Sequence, residues 1–163
     1  MFEVQTVEGL SKPDLYASLL SQAEGLLLDE RDLVANAANF SALLYHGLPD
    51  VNWAGFYLWD GQELVVGPFQ GRPACVRIAM GRGVCGAAAA TGRTQVVADV
   101  DAFPGHIPCD SASRSEIVVP LHRPDGSLLG VLDIDSPQVA RFDDEDRCGI
   151  EALAKAFLKA VAA

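Results

Sequence analysis

The sequence predicts an α+β fold in which an antiparallel sheet is flanked by helices, and three observations predict it. Two segments of helical periodicity open the chain and a third closes it, leaving the middle for strands. The turn signals Asp60-Gly61 and Pro124-Asp125-Gly126 each join two apolar-rich runs, and hairpins pair strands antiparallel. No repeated strand–helix alternation supplies a parallel sheet. A length of 163 residues fits one domain, 1–163, with helices over 12–47, a sheet core with its loops over 51–136 and a last helix over 143–161.

Each element follows from local chemistry. Ser11 is an N-cap candidate with Pro13 in the first turn, and Leu15, Leu19, Ala23 and Leu26 recur at helical spacing. A second helix is predicted from Glu30 to His46, with Gly47 as its stop. The period then changes, and Val51–Trp59, Glu63–Phe69 and Cys75–Met80 read as a meander of strands. Gly81–Gly86 precedes a short Ala-rich helix ending at Gly92, and Thr94–Val100 returns to strand. Residues 101–115 form a polar loop punctuated by Pro and Gly. Glu116–His122 and Leu128–Ile134 are two further strands. The last helix starts near Asp143 and aligns Cys148, Ala152, Phe157 and Val161 on a side widened by Leu153 and Ala156. The expected helices cover one face of the sheet.

Twelve basic against 22 acidic side chains leave a net charge of −10, which argues against nucleic acid and anionic membranes as partners. Residues 51–98 carry four bases and two acids, so a mildly basic middle lies between acidic ends. The start shows no signal-peptide pattern and no apolar run is long enough to span a bilayer, so a cytoplasmic location is expected. In that reducing compartment the four cysteines are either buried hydrophobes or chemically employed.

Gly81-Arg82-Gly83-Val84-Cys85-Gly86 matches the dinucleotide fingerprint, with Asp101 downstream. That fingerprint works only in a parallel βαβ unit with a long helix, and this chain offers neither. The glycines read as a tight turn, and no bound cofactor is expected. Cys75, Cys85, His106 and Cys109 could compose a zinc site, but none shows the close spacing of a zinc knuckle, and no metal is expected. Cys148 reads as core. Cys109, between Pro108 and Asp110 in a polar loop, is poorly explained by packing and is a candidate reactive thiol.

Asp133 and Asp135 flank Ile134 in an apolar run, and alternation puts both on one face. Two carboxylates so placed need a cation, a shared proton or solvent. A strand end emerging into water accounts for Asp135 but not for Asp133. Glu116 opens the neighbouring strand, and Trp53 and Tyr57 share a face of the first one.

The string from Asn52 to Ser136, with its Gly-Val-Cys-Gly, His-Ile-Pro-Cys-Asp, Ser-Glu-Ile-Val and Leu-Asp-Ile-Asp-Ser motifs, closely resembles the free methionine-(R)-sulfoxide reductases. These are single-domain enzymes of the GAF fold, and the resemblance spans about residues 20–160. It implies Cys109 as the catalytic cysteine and Cys75 and Cys85 as resolving thiols, without saying which resolves first. It also implies a substrate pocket built from Trp53, Glu116, Asp133 and Asp135, with Tyr57 on the same strand face as Trp53. The expected substrate is free methionine-(R)-sulfoxide, with thioredoxin as reductant and a homodimer left open. Arg114, between Ser113 and Ser115, puts a bulky charge close to that pocket. The alternative is a GAF sensor that binds a small ligand or reports redox state without turnover.

Overall fold

A computed structural model describes residues 1–162. Helix α1 (Lys12–Leu26) starts at Ser11, whose hydroxyl accepts the Asp14 N–H, with Pro13 in the first turn where its missing N–H costs nothing. Helix α2 (Leu33–Gly47) begins three residues later than predicted, because Asp32 is the cap: its carboxylate accepts the Ala35 N–H at 2.8 Å. Glu30 instead accepts the N–H groups of Arg31 and Asp32 and closes the connecting turn.

Strands β1 (Trp53–Trp59), β2 (Glu63–Gly71) and β3 (Arg77–Ala79) lead into helix α3 (Gly83–Thr91), followed by β4 (Gln95–Val97). Strands β5 (Ser115–His122) and β6 (Leu128–Ser136) precede helix α4 (Asp144–Val161). The predicted meander and hairpins are present. The end strands are shorter than predicted: Val100–Ala102 is a single 3-10 turn capped by Asp99, and Cys75 and Val76 lie outside β3. The six strands run in the order β3-β2-β1-β6-β5-β4, with every pair antiparallel.

Alternation divides the sheet into two faces. Ala54 and Phe56 of β1, Ile117, Val119 and Leu121 of β5, and Leu132 and Ile134 of β6 form the main core with α1, α2 and α4. Trp53, Tyr57, Val118 and Val131 point the other way, into a second apolar cluster under α3. The helices therefore cover both faces, not the single face expected from the sequence. Helix α3 is too short to cover a whole sheet, so loops share the second face, and a pocket forms between them.

Cys148 is exposed, which corrects its core assignment. Helix α4 buries Asp146, Ile150, Leu153, Ala154 and Phe157. Cys148 lies two residues, about 200°, from both Asp146 and Ile150 and so faces solvent. Asp146 belongs to the buried stripe because it is fully satisfied there. It accepts from Tyr16 Oη at 2.7 Å, Lys12 Nζ at 2.7 Å, Arg141 at 3.0 Å and the Asp143 N–H at 2.9 Å. Burial pushes its pKa up, but these donors outweigh burial and hold it at about 2. Their stabilisation is complete above the ordinary aspartate range and is lost as pH falls through about 2. Asp146→Ala strands the buried Arg141 guanidinium and should destabilise the fold by about 3 kcal/mol, measured by urea denaturation at neutral pH. A loss below about 1 kcal/mol would contradict this reading.

Candidate active site

Register brings the acids together. Across the sheet Trp53 pairs with Asp135 and Asp135 with Glu116, in one row over β1, β6 and β5. One step along the same face, Asp133 lies between Gly55 and Val118. Any larger residue than Gly55 would run its Cβ into Phe69, so the strands close up beside the acids. Asp135 is not a strand end emerging into water: β6 continues to Ser136, and Asp135 is half-buried and lines the cavity.

Helix α3 covers the row. Its first turn presents Gly83, Val84 and Cys85 to the cavity. Gly83 has φ 60°, a conformation favouring glycine, and a Cβ there would press on Ile107. A Cβ on Gly86 would lie 2.7 Å from the Ala79 carbonyl. The glycine motif is thus a close-packing device on an antiparallel sheet. Cys85 is buried, with Sγ 3.9 Å from Glu116 Oε1, and Cys85, Glu116 and Asp133 each offer a ligand atom within 4.8 Å of the others. This cluster is suited to hold a cation or share a proton.

The loop between Phe103 and Ser113 closes one side of the cavity with His106, Ile107, Cys109, Asp110 and Ser113. Asn52, just before β1, anchors it. Its Nδ2 donates to Asp110 Oδ2 at 3.2 Å and to Ser113 Oγ at 3.1 Å, while Asp110 Oδ1 accepts the Ala112 N–H. Cys109 is joined to Cys75 by a disulfide, with Cα atoms 5.6 Å apart and a sequence separation of 34. Bonded to each other, these two sulfurs are not thiolate ligands, so the four-residue zinc alternative does not describe this state. Cys85 remains a free thiol.

Trp53 forms the apolar wall. It stacks on Phe69 at 5.0 Å and on Tyr57 at 5.8 Å between ring centroids, and its Nε1 donates to the Arg72 carbonyl at 3.1 Å. All eight predicted site residues are at or beside one cavity, seven lining it and Cys75 attached through Cys109. Arg114 is exposed, and its backbone ties the loop to Ser136 and Val100. Asn52, Arg72, Arg82, Asp110 and Ser113 were not predicted as site residues, and His106 was named only in the zinc alternative. Asn52 and Asp110 adjoin Trp53 and Cys109, which was the only local signal for them.

Electrostatics separate the three acids. Burial, followed by the Asp133 and Asp135 charges, pushes the Glu116 pKa well above the carboxylate range. Burial, then Asp133 and Asp110, raises Asp135 in the same way. Asp133 is also raised by burial, but hydrogen bonds from Glu116 and Cys85 favour its charge and leave it at about 6. One Asp133 oxygen is buried without a partner. Burial and neighbouring charge thus favour the protonated forms of Glu116 and Asp135, while Asp133 has partners that favour its charge. Burial and then the Asp133 and Glu116 charges also raise the Cys85 thiol. Burial lowers His106, whose Nε2 lies 3.9 Å from Glu116 Oε2.

Comparisons agree with this geometry. The sequence model of the GAF domain matches residues 32–161. Protein YtsP of Bacillus subtilis is 56% identical over 99% of both chains. The free methionine-R-sulfoxide reductase of Escherichia coli is 50% identical, covering 94% of this chain and 92% of that protein. The X-ray structure of a free methionine-R-sulfoxide reductase from Neisseria meningitidis in complex with its substrate superposes with a TM-score of 0.93. It is 49% identical, covering 99% of this chain and 96% of that one. With a GAF fold throughout and half its residues shared with such enzymes, the chain belongs to the free methionine-R-sulfoxide reductase family.

Proposed function

We infer that this protein reduces free L-methionine-(R)-sulfoxide to L-methionine, using Cys109 as nucleophile. The observation that carries this reading is a cysteine disulfide whose Cys109 side faces a cavity with three buried acids and an aromatic wall. A soft sulfur nucleophile, a proton source and an anionic cradle are the groups that sulfoxide reduction of an amino acid needs.

In the reduced state the Cys109 thiolate attacks the sulfoxide sulfur. Protonated Glu116 donates to the oxygen, and Asp135 is the second candidate donor. The sulfur–oxygen bond of the substrate breaks, the oxygen ends on Cys109 as a sulfenic acid, and methionine leaves two electrons richer. The Cys75 thiolate then attacks the sulfenic sulfur. A Cys75–Cys109 disulfide forms and hydroxide departs, leaving as water with a proton. A thioredoxin-type dithiol returns both cysteines to thiols in the cytoplasm. Cys75 is the first resolving thiol in this scheme, and Cys85 is a reserve beneath Glu116. All these groups come from one chain, so the reaction runs in a monomer or in each half of a homodimer.

Ionised Asp133 holds the substrate ammonium and Trp53 packs on its methyl and sulfur. The decisive assay follows methionine formation from the free R epimer with dithiothreitol as reductant; a ligand sensor would bind without turnover. N-acetyl-methionine-(R)-sulfoxide lacks the ammonium, and losing a charge-assisted bond of roughly 1.5–3 kcal/mol should lower kcat/KM by about 10- to 100-fold. Asp133→Asn should raise KM for the free amino acid by a similar factor and leave the N-acetyl substrate nearly unaffected. Equal reduction of the free and acetylated sulfoxides would remove the cradle from the scheme.

A further inference from the structure

Between Glu63 and Asp99 lie 35 residues with four arginines and no acid, in a chain of net charge −10. The middle of this stretch surrounds Cys75. Val76, next to it, is 62% exposed, and Met80, after the edge strand β3, is 40% exposed. Pro73 and Pro108, beside the two disulfide cysteines, are exposed as well. Arg77 is occupied by Asp60 and Glu63. Arg72 makes only a long ion pair, 3.9 Å to Asp110, and its side chain is 75% exposed. Arg82 is exposed and forms no ion pair among the described residues. Exposed apolar residues flanking the disulfide cysteines in sequence, with two exposed guanidiniums on an otherwise acidic protein, make a surface with a preferred partner.

We propose that the surface of Val76, Met80 and Pro108, with Arg72 and Arg82, is the docking face for an acidic dithiol reductase whose nucleophilic cysteine sits in an apolar surround. This rests on the reductase reading above. Its chemistry assigns the sulfur attacked. Cys109 lines the cavity, whereas Cys75 follows the exposed Arg72-Pro73 segment and precedes exposed Val76. The partner's thiolate attacks Cys75 Sγ, the Cys75–Cys109 bond breaks, and Cys109 leaves as the thiolate required for the next turnover. The partner's second thiol then attacks the mixed disulfide, releases Cys75 and leaves the partner oxidised. The two electrons lost by the partner are those gained by the two cysteines, which take up protons to complete the exchange.

The test compares an acidic thioredoxin with dithiothreitol, which is small, uncharged and needs no docking face. Val76→Glu and Met80→Glu should each raise KM for thioredoxin about tenfold or more. Both should leave dithiothreitol-driven turnover and KM for the sulfoxide unchanged. Val34→Glu is the matched control, because Val34 is 61% exposed on α2, and it should change neither arm. Raising salt from about 20 mM to about 200 mM should slow the thioredoxin arm several-fold and spare the dithiothreitol arm. Unaltered thioredoxin kinetics in both variants, or equal losses with both reductants, would overturn the docking face. A parental protein that turns over with neither reductant would overturn the reductase reading instead.

Discussion

Cys109→Ser should abolish turnover, with at least about a thousandfold loss of kcat/KM with either reductant. A serine hydroxyl is far less acidic than a thiol and too hard to attack a sulfoxide sulfur, so no neighbouring group can restore the step. The fold should survive, since Cys109 sits in a loop anchored by Asn52 and the change is nearly isosteric. Cys75→Ser separates the steps. It should still release about one equivalent of methionine per enzyme in a rapid-quench experiment, because sulfenic-acid formation precedes the disulfide. Its steady-state turnover should fall sharply, to whatever Cys85 can support from its buried position. Near-normal activity in Cys109→Ser would transfer the nucleophile to Cys85, and loss of the first equivalent in Cys75→Ser would put Cys75 in the chemical step.

Glu116→Gln should lower kcat by about a hundredfold or more while changing KM little. The amide keeps the shape of the acid and its place opposite Asp135 but has no transferable proton. In the parental protein kcat should decline as pH rises through the elevated Glu116 pKa, where the donor loses its proton. Stability gives an independent readout with a definite sign. A buried acid whose pKa is raised binds more protons when folded than when unfolded. Its presence therefore makes the fold less stable as pH climbs above the ordinary glutamate range. Glu116→Gln should remove that slope and raise Tm at pH 8 even as it destroys activity. A variant that loses Tm together with kcat would show a structural role. One that keeps kcat would pass the proton to Asp135, whose pKa is raised by burial first and then by Asp133 and Asp110.

The division between the two faces of the sheet could be read from the chain. Trp53 and Tyr57 on one side of β1, with Ala54 and Phe56 on the other, follow from the two-residue period of an extended backbone. Asp133 and Asp135 share a face for the same reason. The α4 stripe was misread because Cys148 was counted as apolar core, whereas the buried side of the helix holds Asp146 and Ile150. Four donors, two from α1, one from Arg141 and one from the helix's own cap, hold Asp146 there.

Local chemistry by itself determined that the chain is α+β and antiparallel, where its turns and most of its caps lie, and which side chains share a strand face. The motifs of the middle region pointed to Cys109, Cys75, Cys85 and the three acids as one constellation. Only the tertiary structure decided that Glu116 stands opposite Asp135, that Cys75 rather than Cys85 is bonded to Cys109, and that Asn52 anchors the Cys109 loop. It alone put α3 on the second face and turned Cys148 to solvent. The physical reason is range. Turn type, capping and alternation depend on a few adjacent residues, whereas strand register, helix docking and a disulfide at a sequence separation of 34 depend on how distant surfaces pack.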